Sequence, residues 1–551
     1  MVVLGVANLL RVLAEVALGA QFGQFTALPF LFWSLSRASE VHREQASLAI
    51  ALILVGAPAW FFHFRVVERA ARASVVERTS PIRSFYVHAV VFTMAMLVFS
   101  YGQAALGLAL QGLFFGGWPT FGPGGIGLDP SWQARSAGAA AMALAAAVVL
   151  AYHVRLSLRD KRAVLFTGRA AQLRHFAVYL LVAVGVVWSS YLAINGLNQV
   201  WQYVADQLVT PPGLAGFVPP SGFTAVRFPT REDFLVFQLL GVSSGIVAGL
   251  ALWLGTWIPL QRGVHGGTPA AEIERRSSIR KVTVYLIVLV AALAVLVGGT
   301  MALTSIIRRL LGDPIVERFS TLHREVGMPA LTAVVFGVVW IFFRRVVAMD
   351  AALETERERA ATIRRLYTYL VAGIGMAMLA IGLAGLIGVI GSQAMRINTH
   401  PNSETATYIS IVLLGLPAWG LSWWQARRRL DDHERRSSPR RGYVYFTILA
   451  GVVGLLIFGA ALLYRLLNAT FAGSLITILT WHDIWHFLVD ATVSAAVFLF
   501  HLRILRADRG AQLATAIAPH ALTVVVNAPD AAAARARLAI ALEGQADISI
   551  R

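Results

Sequence analysis

The sequence predicts an all-α integral membrane protein of about twelve transmembrane helices, arranged as repeated hairpins, with a small α/β tail at the C-terminus. Composition is the first observation: 57% of the 551 residues are hydrophobic and only 14% are charged, against roughly 25% charged residues in ordinary globular chains. Apolar runs of about 20 residues, the length needed to cross a bilayer, are the second. The third is an arginine-led helix opening that occurs five times between these runs.

The chain opens with a partial hairpin, residues 1–70. The segment 48–64 is a clear apolar helix, whereas 1–20 matches only the distal part of the helix that should precede it. Either the first helix is short, or the true start lies upstream. A secretory signal peptide is not indicated, because the segment has no basic n-region and Arg11 and Glu15 interrupt its apolar run. Eleven full-length spans and one incomplete span are therefore expected.

Five complete hairpins follow, and an arginine before an aromatic or apolar stretch opens each. A tyrosine falls five residues after that arginine in four copies, and His88 takes its place in the first. Periods this long, with apolar runs inside them, indicate membrane hairpins rather than a soluble solenoid. The predicted copies are 83–158, 174–262, 280–347, 364–428 and 440–505, and the predicted membrane domain spans 1–505.

Two of the openings read Arg364-Arg-Leu-Tyr-Thr-Tyr369 and Arg440-Arg-Gly-Tyr-Val-Tyr445. This Arg-Arg-x-Tyr-x-Tyr entry to long paired helices resembles an uncharacterised bacterial multipass membrane family, catalogued as a domain of unknown function. The resemblance covers about 1–505 and leaves out the tail. It implies repeated helical hairpins, and it implies no activity or catalytic residue, because none is known for the family.

The basic residues are distributed unevenly between the two sides of the predicted bundle. Loops that follow the second helix of each hairpin hold 32 of the 47 Lys and Arg residues, and the opposite loops and helix ends hold 11. The positive-inside rule then places the basic loops and both termini in the cytoplasm, in a bacterial inner membrane. Of the opposite loops, 111–135 is rich in Gly and Pro, and 198–234 is expected to be an irregular cap.

The C-terminal tail, 506–551, has a different pattern. We predict a strand at 522–526, a helix at 529–542 and a second strand at 547–550, a cytoplasmic βαβ-like piece too short for a core of its own. It is expected to dock on the membrane domain or on a partner. The alternative is a partly disordered tail.

Several classes of chemistry are excluded or disfavoured. The chain has no cysteine, which excludes disulfides, thiolate catalysis and cysteine-ligated metal clusters. P-loop, Rossmann, Gly-x-Ser-x-Gly and His-Glu-x-x-His signatures are absent.

The net charge of +18 does not indicate nucleic-acid binding, since the basic residues sit in short clusters between apolar runs. Only Glu15 and Asp490 lie inside predicted spans, which is sparse for an ion-coupled transporter.

One candidate metal site stands out at the start of the last span. His482, His486 and Asp490 are spaced by four residues and share one helix face, and two imidazoles with a carboxylate can bind a divalent metal or relay protons. The structural alternative is an ordinary helix start, where a carboxylate suits the helix dipole and aromatics mark the membrane interface. We favour the structural alternative.

Three further histidines precede an arginine at basic helix ends: His63, His153 and His501. Histidines at this depth can ligate haem or a pigment if two of them face each other. The corresponding residues of other copies are Leu260, Phe343 and Gln425, which favours an aromatic-belt residue beside a snorkelling arginine. We therefore expect no bound cofactor, with these three histidines as the alternative sites for one.

The function predicted from sequence is a non-enzymatic scaffold or accessory subunit. It would pack against other membrane-protein subunits through small-residue faces and through its basic surface. The glycine row Gly382, Gly385, Gly388 and Gly391 is expected to pack either within the bundle or against another subunit. The alternative is a transporter or permease, and a lower alternative is a metal- or haem-binding redox protein. The expected partners are the lipid bilayer and other membrane subunits.

Overall fold

The structure is a computed structural model. It describes residues 2–18, 38–116, 118–122, 125–129, 132–209, 231–266, 268–275, 277–313, 321–352, 358–397, 401–428, 430–473, 477–517 and 530–541. The fold is built from long apolar helices, and in the described residues eleven are long and apolar enough to cross a membrane. The incomplete first span is a helix of 16 residues. The prediction of eleven full spans and one incomplete span is confirmed.

The helices follow one another in hairpins. In chain order they are α1 (Val2–Ala17), α2 (Ala38–Ala73), α3 (Val75–Arg78), α4 (Pro81–Phe115), α5 (Trp132–Ala163), α6 (Gly168–Val209), α7 (Arg231–Val264), α8 (Pro269–Arg275), α9 (Ser278–Leu310), α10 (Leu322–Ala352), α11 (Glu358–Ala394), α12 (Pro401–Arg428), α13 (Asp432–Arg436), α14 (Ser438–Phe471), α15 (Ile478–Ile517) and α16 (Ala531–Ala541).

The hairpins associate in pairs to form three similar four-helix units. Unit 1 contains α1, α2, α4 and α5; unit 2 contains α6, α7, α9 and α10; unit 3 contains α11, α12, α14 and α15. In each unit the first helix packs on both the second and the fourth, and the third packs on the fourth. A short helix (α3, α8 or α13) joins the second helix to the third. We call the end that carries these short helices the basic end.

Consecutive units meet in the same way. The third helix of unit 1, α4, contacts the first two helices of unit 2, and the third helix of unit 2, α9, contacts the first two helices of unit 3. Buried apolar residues from all four helices of unit 2 form one core around Tyr179, Trp257 and Phe343. A counterpart core in unit 3 surrounds Tyr369, Trp423 and Tyr443.

Glycines allow the first two helices of a unit to approach closely. A Cβ on Gly185 would lie 2.7 Å from the backbone nitrogen of Trp253, and a Cβ on Gly375 would lie 2.4 Å from that of Trp419. Gly375 follows Arg364 by the same interval as Gly185 follows Arg174. Both contacts are with backbone, so only a residue without a side chain fits.

The loops and the tail contain further secondary structure. Strands β1 (Trp118–Gly122) and β2 (Gly125–Asp129) pair antiparallel in the loop that the sequence marks as rich in Gly and Pro. In the tail, the predicted helix is present as α16, and α15 continues into the predicted tail as far as Ile517. The predicted strands at 522–526 and 547–550, and most of the cap at 198–234, lie outside the described residues.

Candidate functional site

Each unit has a buried arginine at its basic end, bound by groups from distant parts of that unit. In unit 2, Arg280 opens α9 and is fully buried. Its Nε and Nη2 donate to the two carboxylate oxygens of Asp350 at the end of α10, at 2.9 and 3.0 Å. Nη1 donates to the Tyr179 hydroxyl from α6 at 3.0 Å, and the guanidinium lies over the Trp257 ring. A planar guanidinium satisfies these partners at once because its donors form a fixed fork.

Unit 3 repeats this arrangement closely. Arg440 donates to both carboxylate oxygens of Asp508 at 2.8 and 3.1 Å, and to the Tyr369 hydroxyl at 3.2 Å. Its guanidinium lies over the ring of Trp423. The network therefore connects the first, second, third and fourth helices of the unit at one point.

A carboxylate in the short connecting helix completes each network. Tyr179 donates its hydroxyl to Glu274, and Tyr369 donates to Glu434. Glu274 is also bound by His175 at 2.9 Å, and in unit 3 Arg365 donates to Glu434 at the same position. Burial opposes the ionisation of Glu274, but the hydrogen bond from His175 and the nearby positive charges outweigh it and lower the pKa of Glu274 to about 2.

Unit 1 has a reduced version of the same network. Arg83 binds Asp160 at the end of α5 and Glu68 in α2, each at 3.0 Å. No tyrosine of a first helix reaches it in the described chain, because α1 is short and lies at the opposite end of the unit. We refer to the clusters around Arg83, Arg280 and Arg440 as the arginine networks.

Local sequence patterns do not predict the acidic partners of these arginines. Asp160, Asp350 and Asp508 follow their arginines by 77, 70 and 68 residues, a spacing too long for any local pattern. A signal nevertheless exists. The five residues 274–278 and 434–438 both read Glu-Arg-Arg-Ser-Ser, and a serine stands three residues before Arg83, Arg280 and Arg440 but not before Arg174 or Arg364. This alternation marks the two-hairpin repeat.

The opposite ends of the units differ. In unit 1 this end is filled by a buried cluster in which Arg11 donates to Asn8, Glu15 and Gln45. In unit 2 the corresponding helix ends place Asp206 between Arg231, His323 and Arg324. Buried charge is stable only when it is paired in this way.

Unit 3 has an open space at this end instead. A cavity of about 620 Å³, which we call the outer cavity, is lined by all four helices of the unit. Its polar lining residues are Ser392, Glu404, Tyr408, His482, His486, Asp490 and Ser494. A cavity of this size with a few convergent polar groups is typical of a small-ligand site.

The predicted metal-site histidines do come together in this cavity. Nε2 of His482 lies 3.0 Å, and Nε2 of His486 lies 2.9 Å, from the Ser392 hydroxyl, which donates to the Gly388 carbonyl and can therefore accept from both rings. Asp490 lines the same cavity. Within the described part of the chain, however, no group of three or more His, Cys, Asp or Glu side chains is placed to hold a metal ion. The three-ligand set is thus not assembled, because Ser392 draws the two imidazoles toward α11. A metal at this position stays an alternative to the structural interpretation.

The other candidate histidines are not arranged as facing pairs. Both ring nitrogens of His501 are hydrogen-bonded within the protein, to the Tyr443 hydroxyl at 3.1 Å and the Val497 carbonyl at 2.8 Å, so neither is left for iron. His153 Nδ1 binds the Val149 carbonyl, and His63 is exposed on α2. Haem or pigment binding at these positions stays an alternative, for which the described residues show no facing pair of histidines.

The glycine row of α11 packs inside unit 3. The space of a Cβ at Gly382 and Gly385 is occupied by Val412 and Tyr408 of α12, and that at Gly388 and Gly391 by His486 and Trp485 of α15. Of the two interpretations of this row, packing within the bundle is therefore the one observed. The row does not offer a face to another subunit.

Comparisons with known proteins agree with the repeat. The profile of a domain of unknown function, DUF5671, matches residues 1–121, 237–338 and 365–500, one segment for each unit. No curated protein and no solved structure matches the chain. The three segments together cover more than half of the sequence, and the chain therefore belongs to the DUF5671 family of unknown function.

Proposed function

We propose that the protein is a non-enzymatic membrane scaffold or accessory subunit, with the basic end and both termini in the cytoplasm. The observation that carries this proposal is the arginine network of each complete unit. A bidentate ion pair joins the third and fourth helices, and hydrogen bonds of a tyrosine hydroxyl add the first helix and the short connecting helix. A unit held in this way at one end is suited to a fixed framework, because alternating access requires helices that separate at that end.

The partners in this proposal are lipid and other membrane subunits. The described glycine row is used internally, so contacts with a partner subunit would involve the basic end and the exposed apolar helix faces. Exposed leucines and phenylalanines cover much of the outer surface, among them Leu54, Phe446 and Phe471. In a bilayer, lipid chains solvate such residues as well as a partner helix does.

Transport of a small solute is the second candidate, and the outer cavity favours it. Its histidines and carboxylates line open space in unit 3, whereas charged and polar side chains bonded to one another fill the same end of units 1 and 2. For transport, the cavity must also open toward the basic end, which requires the Arg440 network to break during the cycle. The scaffold proposal instead requires the network to stay closed.

Distance measurements between spin labels separate the two candidates. The chain has no natural cysteine, so labels can be attached to Leu366→Cys on α11 and Arg506→Cys on α15, both exposed near the basic end. In lipid nanodiscs we expect one narrow distance distribution from double electron–electron resonance. The Asp508→Asn variant should broaden it, which shows that the labels can report opening. Two exchanging distances in the otherwise unaltered protein would refute the scaffold and support transport.

A further inference from the structure

A second cavity lies between units 2 and 3 at the basic end. It has a volume of about 240 Å³. Helices α9, α10, α11 and α12 supply its walls, and Glu434 of α13 also lines it. We call it the inter-unit cavity.

Its lining is strongly basic. Arg344, Arg364 and Arg365 all line the cavity, with Tyr285, Tyr367 and Gln425 as further hydrogen-bonding groups. The one carboxylate among the lining residues is Glu434, which already accepts from Arg365 and from the Tyr369 hydroxyl. Glu434 thus offsets Arg365, and the lining offers no second carboxylate for Arg344, whose charge an anion would complement.

Arg344 is positioned to receive that anion. Its guanidinium lies 4.8 Å above the ring of Trp340, a contact that holds its plane without using its N–H groups. Among the described residues no carboxylate pairs with it. A planar guanidinium held in this way presents two parallel donors, which match the oxygens of a phosphate group.

The contact between units 1 and 2 has a counterpart cavity that is closed. The space there is about 10 Å³. His88, at the position of Tyr285, binds Ser157 across it at 3.1 Å. Val154 stands at the position of Arg344, counted from Asp160 and Asp350. The chain thus contains both an open and a closed version of one site. The closed version is also lined by basic residues (Arg78, Arg83, Lys161 and Arg174), and only the open version has an arginine at the position of Arg344.

We propose that the inter-unit cavity binds the phosphate group of an anionic phospholipid. The shared chemistry is a phosphate oxyanion, which could also be supplied as soluble phosphate. Two features favour the lipid. The cavity lies near the ends of candidate spanning helices, where we expect the headgroups of one leaflet. Exposed Leu286 and Leu366 are the immediate sequence neighbours of lining residues and offer apolar surface to acyl chains.

Binding of phosphatidylglycerol to the purified full chain in detergent tests the proposal, with titration by native mass spectrometry as the readout. The Arg344→Gln/Arg364→Gln variant should bind the lipid at least about tenfold more weakly, since charge-assisted hydrogen bonds are lost. Arg174→Gln, at the position of Arg364 in the closed contact, should bind as the unaltered protein does. Inorganic phosphate, added alone in a second arm, should bind more than tenfold more weakly than the lipid.

A steric variant keeps the test decisive if the charge variant does not fold. Ala348→Trp fills the inter-unit cavity from an exposed lining position without changing charge, and should also abolish lipid binding. Unchanged lipid binding in either cavity variant would overturn the proposal, as would an equal loss in Arg174→Gln. Inorganic phosphate that binds as tightly as the lipid would overturn the lipid as the source of the phosphate.

Discussion

At the scale of single residues, the molecule depends on a few charged side chains placed where charge is costly. Arg280 and Arg440 are almost fully removed from solvent, and each has a bidentate carboxylate, a tyrosine hydroxyl and an aromatic ring around it. Removing one partner from such a buried pair leaves an uncompensated charge, which costs far more than the net contribution of the intact pair. The networks should therefore be sensitive to single substitutions and tolerant of paired ones.

The Arg440–Asp508 pair provides the first prediction. Asp508→Asn should lower the free energy of unfolding by about 3–5 kcal/mol, because the buried Arg440 loses its counter-charge. The double variant Arg440→Met/Asp508→Leu should lose much less than the sum of the single changes. Thermal unfolding in detergent measures both. Arg441→Gln alters the exposed neighbour and should change stability by less than about 0.5 kcal/mol. Equal losses in Asp508→Asn and Arg441→Gln would contradict the role of the network.

Glu274 provides a pH-dependent prediction. Its pKa is about 2 in the folded protein and 4.5 in the unfolded reference, so the folded state favours the ionised form. This contribution to stability is complete above pH 4.5 and is lost as the pH falls from 4.5 toward 2. We expect the melting temperature in detergent to decrease across that window, and the Glu274→Gln variant to show a flatter profile. Parallel profiles for the two proteins would show that Glu274 does not contribute.

At the scale of helices, close backbone approach holds the first two helices of a unit together. Lipid chains are as apolar as leucine, so helices in a membrane associate through packing rather than through the hydrophobic effect. Gly185 and Gly375 occupy equivalent places at which α6 meets α7 and α11 meets α12. The repeat thus preserves a contact in addition to a hydropathy pattern.

Gly375 and Gly373 form a matched pair for testing this contact. Gly375→Ala should destabilise the protein by about 1–3 kcal/mol, because the new methyl group meets the backbone of Trp419 and Ala418 and the helices must separate. Gly373→Ala places its methyl group 3.9 Å from the ring of Tyr443, and should be neutral or slightly stabilising through helix propensity. Unfolding in detergent compares the two. If Gly375→Ala were no less stable than Gly373→Ala, the contact would not matter.

At the scale of the whole molecule, three four-helix units are linked by repeated contacts, and all three short helices lie at one end. Parallel repeats of this kind keep one orientation per hairpin. The outer cavity and the inter-unit cavity then lie at opposite ends of the bundle, the first within unit 3 and the second between units 2 and 3. The two ends are expected to meet different solvents and different lipid headgroups.

Single cysteines in the cysteine-free chain test this orientation. Val76→Cys, Thr268→Cys and His433→Cys lie at the basic end, one in each unit, whereas Leu311→Cys and Ala472→Cys lie at the opposite end. In intact cells, a membrane-impermeant maleimide should label only the last two, and in inverted vesicles only the first three. The common orientation of the units would be contradicted if the cysteines at Val76, Thr268 and His433 were labelled from different sides of the membrane.

The sequence alone determined the membrane class, the hairpins and the uneven distribution of basic residues, because each follows from composition and local periodicity. It also placed His482 and His486 on one helix face, since a spacing of four residues is a local property of a helix. Tertiary structure decided how hairpins pair into units, which aspartate meets which arginine, and that Ser392 joins the two histidines. It also decided which groups of polar side chains line a cavity and which fill their space with ion pairs. Those outcomes depend on helix rotation and on the volume of side chains far apart in the chain, which no local pattern encodes.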